Sequence, residues 1–177
     1  PPASAIAVPD SAALNFGGEG PMVAAGQRLH LDGGYDPGAG TIHYTLLTTD
    51  GTAAGSSGLL PEADTEYRTA LGNRLVFAHR DATHGYEPWI TDGTVGGTAL
   101  LADILPGLSS SAPQSFTELG GALFFAADDG THGVELWRTD GTEAGTALVK
   151  DIAAGDTGSY PWRGAALGST LFFLATT

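Results

Sequence analysis

The chain has 177 residues, enough to bury about 70% of the surface its unfolded form would expose, and no cysteine, which excludes disulfides, thiolate metal sites and cysteine nucleophiles together. Twenty acidic residues against seven basic ones give a formal charge of −13, which repels phosphate backbones and argues against nucleic acid and anionic membrane surfaces as partners. No apolar run approaches the roughly 18 residues needed to cross a bilayer; low lysine, strong acidity, 27 glycines and 10 prolines suit a turn-rich, secreted β protein.

The chain opens on "PPASAIAVPDSAALN", which is compatible with a mature N-terminus left after cleavage of a leader. Within it "SAIAV" (4–8) and "AALNF" (12–16) are two short strand-like segments. "GGEG" (17–20) lacks the strand-to-helix context that gives such spacing meaning for dinucleotides, and reads as a turn. From there on the chain repeats itself. "GQRLHL" (26–31), "GNRLVF" (72–77), "GGALFF" (120–125) and "GSTLFF" (168–173) are four copies of one segment, and "TDGT" starts at Thr49, Thr91 and Thr139. Trp89 and Trp137, Asp92 and Asp140, His84 and His132, and Pro113 and Pro161 are each 48 residues apart.

Each repeat divides into four runs bounded by Gly, Asp, Ser and Pro. In the clearest copy they are "PQSFTEL" (a), "GALFFAA" (b), "VELWRTD" (c) and "TALVKDI" (d), rich in the β-branched and aromatic residues that favour strands. No segment has helical spacing over ten residues. Strand b is apolar on consecutive positions, as expected of a strand covered on both faces. Four strands every 48 residues is the arithmetic of a β-propeller blade. The expectation is an all-β, propeller-like array of four-stranded antiparallel blades occupying 1–177 as one domain, with repeats at about 21–64, 65–112 and 113–160. The last copy, 161–177, supplies only a and b, and an open edge invites aggregation. Either residues 3–16 complete it, giving a four-bladed ring, or the chain is part of a larger ring completed by more chain or a second copy.

Asp-Gly between c and d signals a tight turn, since glycine takes positive φ freely and the aspartate can bond the backbone ahead. TDGT is therefore assigned to architecture, and the two tryptophans to space between neighbouring blades.

The wording "GALFFAADDGTHGVELWRTDGTEAGTALVKDI" resembles the bacterial ELWxxDGT-repeat proteins. The match covers residues 72–175 and is looser over the first 60, where Leu47 stands in the Trp position and Thr45 in the Glu position. The resemblance implies an exported, repeat-bearing protein with a propeller-like fold. It supplies no catalytic residue to carry over.

Nucleophile-elbow, zincin, P-loop and calcium-loop motifs are missing. Because strands alternate direction, the b–c loops (79–85 and 127–133) and the d–a loops share one face of the array, opposite the TDGT turns. On that face Asp81, Asp128 and Asp129 are candidate ligands for a hard cation such as Ca2+, though Asp-Asp-Gly is also ordinary turn chemistry. His84 and His132 either cap their own loops or lean together over a shared ligand. Where one copy has Ala112-Pro113-Gln114-Ser115, the next has Tyr160-Pro161-Trp162-Arg163; Tyr160, Trp162 and Arg163 form a cluster suited to stacking on a sugar, anchoring a protein, or sealing the last blade.

These features favour a non-catalytic extracellular module for binding, adhesion or assembly. Its expected partners are a glycan, a protein or further copies joined through open sheet edges. The alternative is a secreted glycan hydrolase or lyase using the acids of the b–c loops, whose carboxylates would need to stand about 5–10 Å apart in a cleft.

Overall fold

The computed structural model describes residues 14–15, 21–35, 43–52, 54–60 and 65–177. Among these residues there are strands and turns and no helix, so none is long and apolar enough to cross a membrane. The strands form four antiparallel sheets. The first holds β1 (Leu14–Asn15), β2 (Val23–Ala25), β3 (Arg28–Tyr35), β4 (His43–Thr49) and β5 (Ser57–Gly58), with β1 and β2 sharing one edge of β3. The second runs in order through β6 (Thr65–Leu71), β7 (Arg74–His79), β8 (Glu87–Thr91) and β9 (Ala99–Leu100). The third does the same through β10 (Gln114–Leu119), β11 (Ala122–Asp128), β12 (Val134–Thr139) and β13 (Ala147–Lys150). The fourth contains only β14 (Trp162–Leu167) and β15 (Thr170–Leu174).

The all-β class, the four-strand unit and its 48-residue period are thus present. Register repeats as well: Phe77 lies opposite Trp89 and Phe125 opposite Trp137. In β7 and β11 the consecutive apolar residues Leu75–Ala78 and Ala122–Ala127 are covered on both faces. Leu75 and Phe77 join Ala25, Leu46 and Leu59 of the first sheet, with Trp89 against them, while Val76 turns the other way and meets Leu123 of the third. Trp137 packs beside Phe125 and Ile104, the latter from the segment that leaves the second sheet. Both tryptophans therefore fill space at seams between neighbouring sheets. Burying a side chain of this size contributes about 2–3 kcal/mol.

The first strands of successive sheets stand side by side, β2 beside β6, β6 beside β10, and β10 beside β14. Among the described residues no comparable contact joins β14 back to β2.

The expected completion of the fourth sheet by residues 3–16 is corrected in its described part. Leu14 and Asn15 pair with Tyr35 and Gly34 of β3, in the first sheet. The physical reason is length: β3 has eight residues, β2 pairs only with Arg28, Leu29 and His30, and β1 satisfies part of the remaining edge. The rest of that segment lies outside the described residues.

The c–d turns are built identically three times. In the second sheet Asp92 Oδ1 accepts from Thr94 N (2.9 Å) and Thr94 Oγ1 (2.7 Å), Thr91 Oγ1 accepts from Gly93 N, and Thr94 Oγ1 accepts from Gly97 N. Thr98 Oγ1 then donates to Thr94 O. The same bonds recur through Asp50, Thr52 and Ser56 and through Asp140, Thr142 and Thr146. The aspartate folds so far over the turn that a Cβ on Gly97 would lie 2.2 Å from its Oδ1. The operative motif is therefore longer than TDGT: it is Thr-Asp-Gly-Thr-x-x-Gly-Thr/Ser. These hydrogen bonds hold the three aspartates below the ordinary carboxylate range, the Thr hydroxyl contributing most.

Candidate functional site

The loops opposite these turns are stitched in pairs. Gly85 N donates to Gly107 O, Tyr86 N to Ser110 Oγ and Ala112 N to Tyr86 O. In the next repeat Tyr160 N donates to Val134 O. Each b–c loop is thereby fastened to the d–a loop that follows its sheet, and the two share one face. The approach is close: a Cβ on Gly85 would stand 2.1 Å from Ser109 O.

Under each pair lies a glutamate that sequence reasoning did not single out. Glu87 is fully buried; its Oε1 accepts from Ser111 N (3.0 Å) and its Oε2 from Ser111 Oγ (2.6 Å) and Ile104 N (3.0 Å). Glu135 repeats this with Ser159 N, Ser159 Oγ and Ala153 N. Ser111 O in turn accepts from Asp128 N of the following sheet, and Ser159 O from Thr176 N. Each carboxylate thus holds a crossover whose other side is bonded to the next sheet. Burial raises the Glu87 pKa, opposed by the Ser111 hydroxyl and backbone donors. The signal was available: a lone carboxylate recurring at the start of an apolar strand, with a serine 24 residues later in both copies. In the first repeat Thr45 occupies the glutamate position and its hydroxyl donates to Leu60 O.

The loop acids and histidines are engaged locally. Asp81 Oδ1 accepts from Thr83 N, Thr83 Oγ1 and His84 N, and the His84 ring nitrogen Nδ1 lies 3.0 Å from both carboxylate oxygens. Asp129 Oδ1 accepts from Thr131 N and His132 N, with His132 Nδ1 2.8 Å from Oδ2. Asp128 Oδ1 accepts from Gly130 N. These are Asx turns carrying a histidine cap. Partial desolvation pushes the Asp81 and Asp129 pKa values upward, but the backbone and histidine donors outweigh it and leave both below the ordinary range. The bond to its aspartate raises the pKa of each histidine. Of the two readings open for Asp81, Asp128 and Asp129, cation ligand or turn residue, the hydrogen bonds of their Oδ1 atoms are those of turn residues. Among the described residues no three His, Asp or Glu side chains converge as a metal site would need. His84 and His132 each face their own aspartate, and the structure brings neither to a ligand shared with the other.

Tyr160, Trp162 and Arg163 differ in being turned outward. Tyr160 and Trp162 are 55% and 46% exposed, and the Arg163 guanidinium lies over the Trp162 ring at 4.5 Å. Arg163 occupies a bulge that the repeat imposes. Tyr67, Ser115 and Arg163, spaced by 48, all have φ between 50° and 60° where the first strand of each sheet slips register against the second. Three unlike side chains accept the same strained backbone, at about 1 kcal/mol each; the bulge therefore belongs to the sheet geometry, and what it projects is free to vary. Beneath the cluster Phe124, Leu136, Trp162, Leu171 and Phe173 line a crevice between the third and fourth sheets of only about 10 Å³. An open groove of about 360 Å³ lies elsewhere, along the β2–β3 hairpin and the first Asp-Gly turn, and includes Arg28 and Asp50. None of the loop-face acids lines either hollow.

No family model matches this chain, and no curated protein matches it. Among solved structures it is similar to the computationally designed Ika8 protein, with 12% identity and a TM-score of 0.46 over 88% of this chain and 42% of that one. The chain thus spans less than half the length of that structure.

Proposed function

We propose that this chain is a non-catalytic, extracellular repeat module of propeller-like architecture, akin to the bacterial ELWxxDGT-repeat proteins, whose loop face recognises a glycan or protein. One observation carries the reading. The acids and histidines of the loop face are bonded inward to their own loops, whereas Tyr160, Trp162 and the stacked Arg163 are presented outward. A flat apolar ring bearing a delocalised cation suits stacking on a sugar ring or insertion into a protein pocket. The side-by-side first strands support a radial arrangement of blades in which 1–177 acts as one domain.

The test pairs binding with turnover. The protein is applied to bacterial cell surfaces and a polysaccharide panel, and retention and reducing-end release are measured together. Retention that falls at least about tenfold in Trp162→Ala, without release of reducing ends, is the expected result. Reducing-end release abolished by Asp129→Asn would replace this reading with a hydrolase, and retention unchanged by Trp162→Ala would move recognition away from the cluster.

A further inference from the structure

Five Asp-Gly pairs stand in the sequence, at Asp32, Asp50, Asp92, Asp129 and Asp140. The pair is chemically weak, because glycine has no side chain to obstruct its own nitrogen. That nitrogen can attack the Cγ of the preceding aspartate: the N–Cγ bond forms, the amide proton and the carboxyl hydroxyl depart as water, and a succinimide ring closes. Water then reopens the ring, and opening at the backbone carbonyl leaves isoaspartate, with the chain rerouted through the side-chain carboxyl. No oxidant or second substrate is needed. The step does require a glycine nitrogen that sheds its proton, a protonated carboxyl, and a rotation that brings Cγ onto the nitrogen.

Four of these pairs sit in turns, and each turn withholds all three requirements. The glycine N–H is bonded every time to the side chain of the residue before the aspartate. Gly51 N donates to Thr49 Oγ1 (3.0 Å), Gly93 N to Thr91 Oγ1 (2.9 Å), Gly141 N to Thr139 Oγ1 (3.0 Å) and Gly130 N to Asp128 Oδ1 (2.7 Å). The carboxylate is turned forward every time, accepting from the N–H two residues on, that of Thr52, Thr94, Thr142 or Thr131. In the c–d turns a Thr hydroxyl adds the bond that contributes most to keeping Asp50, Asp92 and Asp140 ionised. Rotation is blocked there as well: a Cβ on Gly97 or Gly145 would lie 2.2 or 2.1 Å from the aspartate Oδ1. The b–c loop at Asp129 has a different sequence and a different acceptor, yet arrives at the same two bonds. The fifth pair, Asp32-Gly33, lies within the β3 ladder opposite Leu46 and Thr45.

We propose that Thr49, Thr91, Asp128 and Thr139 are chemical guards that keep four Asp-Gly modification sites from isomerising, a durability added to the shape of the turn. An Asx turn by itself needs only the bond to the aspartate. The bond from the glycine N–H to the preceding side chain is the further element, and Thr91 and Thr139 are fully buried in making it.

The 177-residue protein and a synthetic peptide of residues 88–98 are aged side by side in warm neutral buffer, and isoaspartate is counted site by site by electron-transfer mass spectrometry. Asp92 in the protein is expected to isomerise at least about tenfold more slowly than in the peptide. Thr91→Val, which keeps the side-chain size, should raise the Asp92 rate about tenfold, the effect of one lost bond at the reacting groups. Asp128→Ala should do the same at Asp129, and Asp128→Asn, which retains an acceptor oxygen, should leave that site slow. In all three variants Asp140 keeps its rate. Should Thr91→Val fail to fold, the Asp128 pair decides. Equal rates at Asp92 in protein and peptide, or guard variants that isomerise no faster than the parent, overturn the proposal. So does a rise at Asp140 matching that at the altered turn, since it would assign the protection to global folding.

Discussion

The first repeat and the two that follow it share a turn and differ in a latch. All three fold the same Thr-Asp-Gly-Thr network over the c–d connection. Only the second and third bury a glutamate under the loops of the opposite face, while the first uses the hydroxyl of Thr45. The seams differ too. Between the first and second sheets Arg68 makes a bidentate ion pair with Asp32, at 2.5 and 2.6 Å. Between the second and third, Arg74 donates to the carbonyl of Gly141 on the neighbouring turn. The comparison teaches that the turn is required by the sheet itself, whereas the latch is required by a long crossover that must be held at both ends. A shorter demand is met by a neutral hydroxyl.

The largest effect should come from breaking the latch. Glu135→Ala strands the Ser159 and Ala153 donors in a buried site, and we expect a loss of about 3–5 kcal/mol by urea denaturation. Thr45→Ala removes one neutral bond and should cost about 1 kcal/mol. Equal losses at the two positions would erase the distinction between the repeats. Next is the ion pair: Arg68→Ala should cost about 3 kcal/mol because it leaves Asp32 without its partner at a partly buried seam.

The same regions respond to pH with opposite signs. His30 of the first sheet is fully buried, and desolvation, with Arg28 nearby, lowers its pKa to about 4. The unfolded chain takes up a proton below about pH 6.5 that the folded chain refuses, so stability is full above that value and is lost as pH falls toward 4. By pH 5 this one group accounts for about 2 kcal/mol. His84 and His132 have raised pKa values; their contribution is present below pH 6.5 and fades as pH rises through the folded value. Urea midpoints between pH 4.5 and 8 for His30→Leu and His84→Asn should separate the two, the first flattening the acid limb and the second the limb above neutrality. A small change is also expected for Trp137→Phe. The indole N–H is buried without an acceptor, so the replacement forfeits volume but no hydrogen bond and should cost under about 1.5 kcal/mol.

Much of this was legible in the sequence because periodicity reports on packing. The 48-residue spacing located β6–β13, the apolar b strands announced sheets covered on both faces, and Asp-Gly marked each c–d turn. The loop-face arrangement followed from strand direction alone. Other features were hidden for physical reasons. Glu87 and Glu135 looked like part of a motif because the groups they bind are backbone amides, which leave no trace in residue type; only Ser111 and Ser159 did. The bulge at Tyr67, Ser115 and Arg163 has no residue signature, being imposed by the sheet. Asp81 and Asp129 suggested a cation because carboxylate composition is the same whether the oxygens meet an ion or an N–H. The pairing of Leu14–Asn15 with β3 depended on the unequal lengths of β2 and β3, which composition does not reveal.

The central claim is that the recurring polar residues hold the crossovers between sheets. Amide hydrogen exchange at Ser111 and Ser159 tests it most directly, since both N–H groups are committed to a buried carboxylate in the middle of a loop. The account predicts exchange nearly as slow as that of β7 and β11, through opening close to global unfolding. Exchange at the rate of the surrounding loop amides would contradict it.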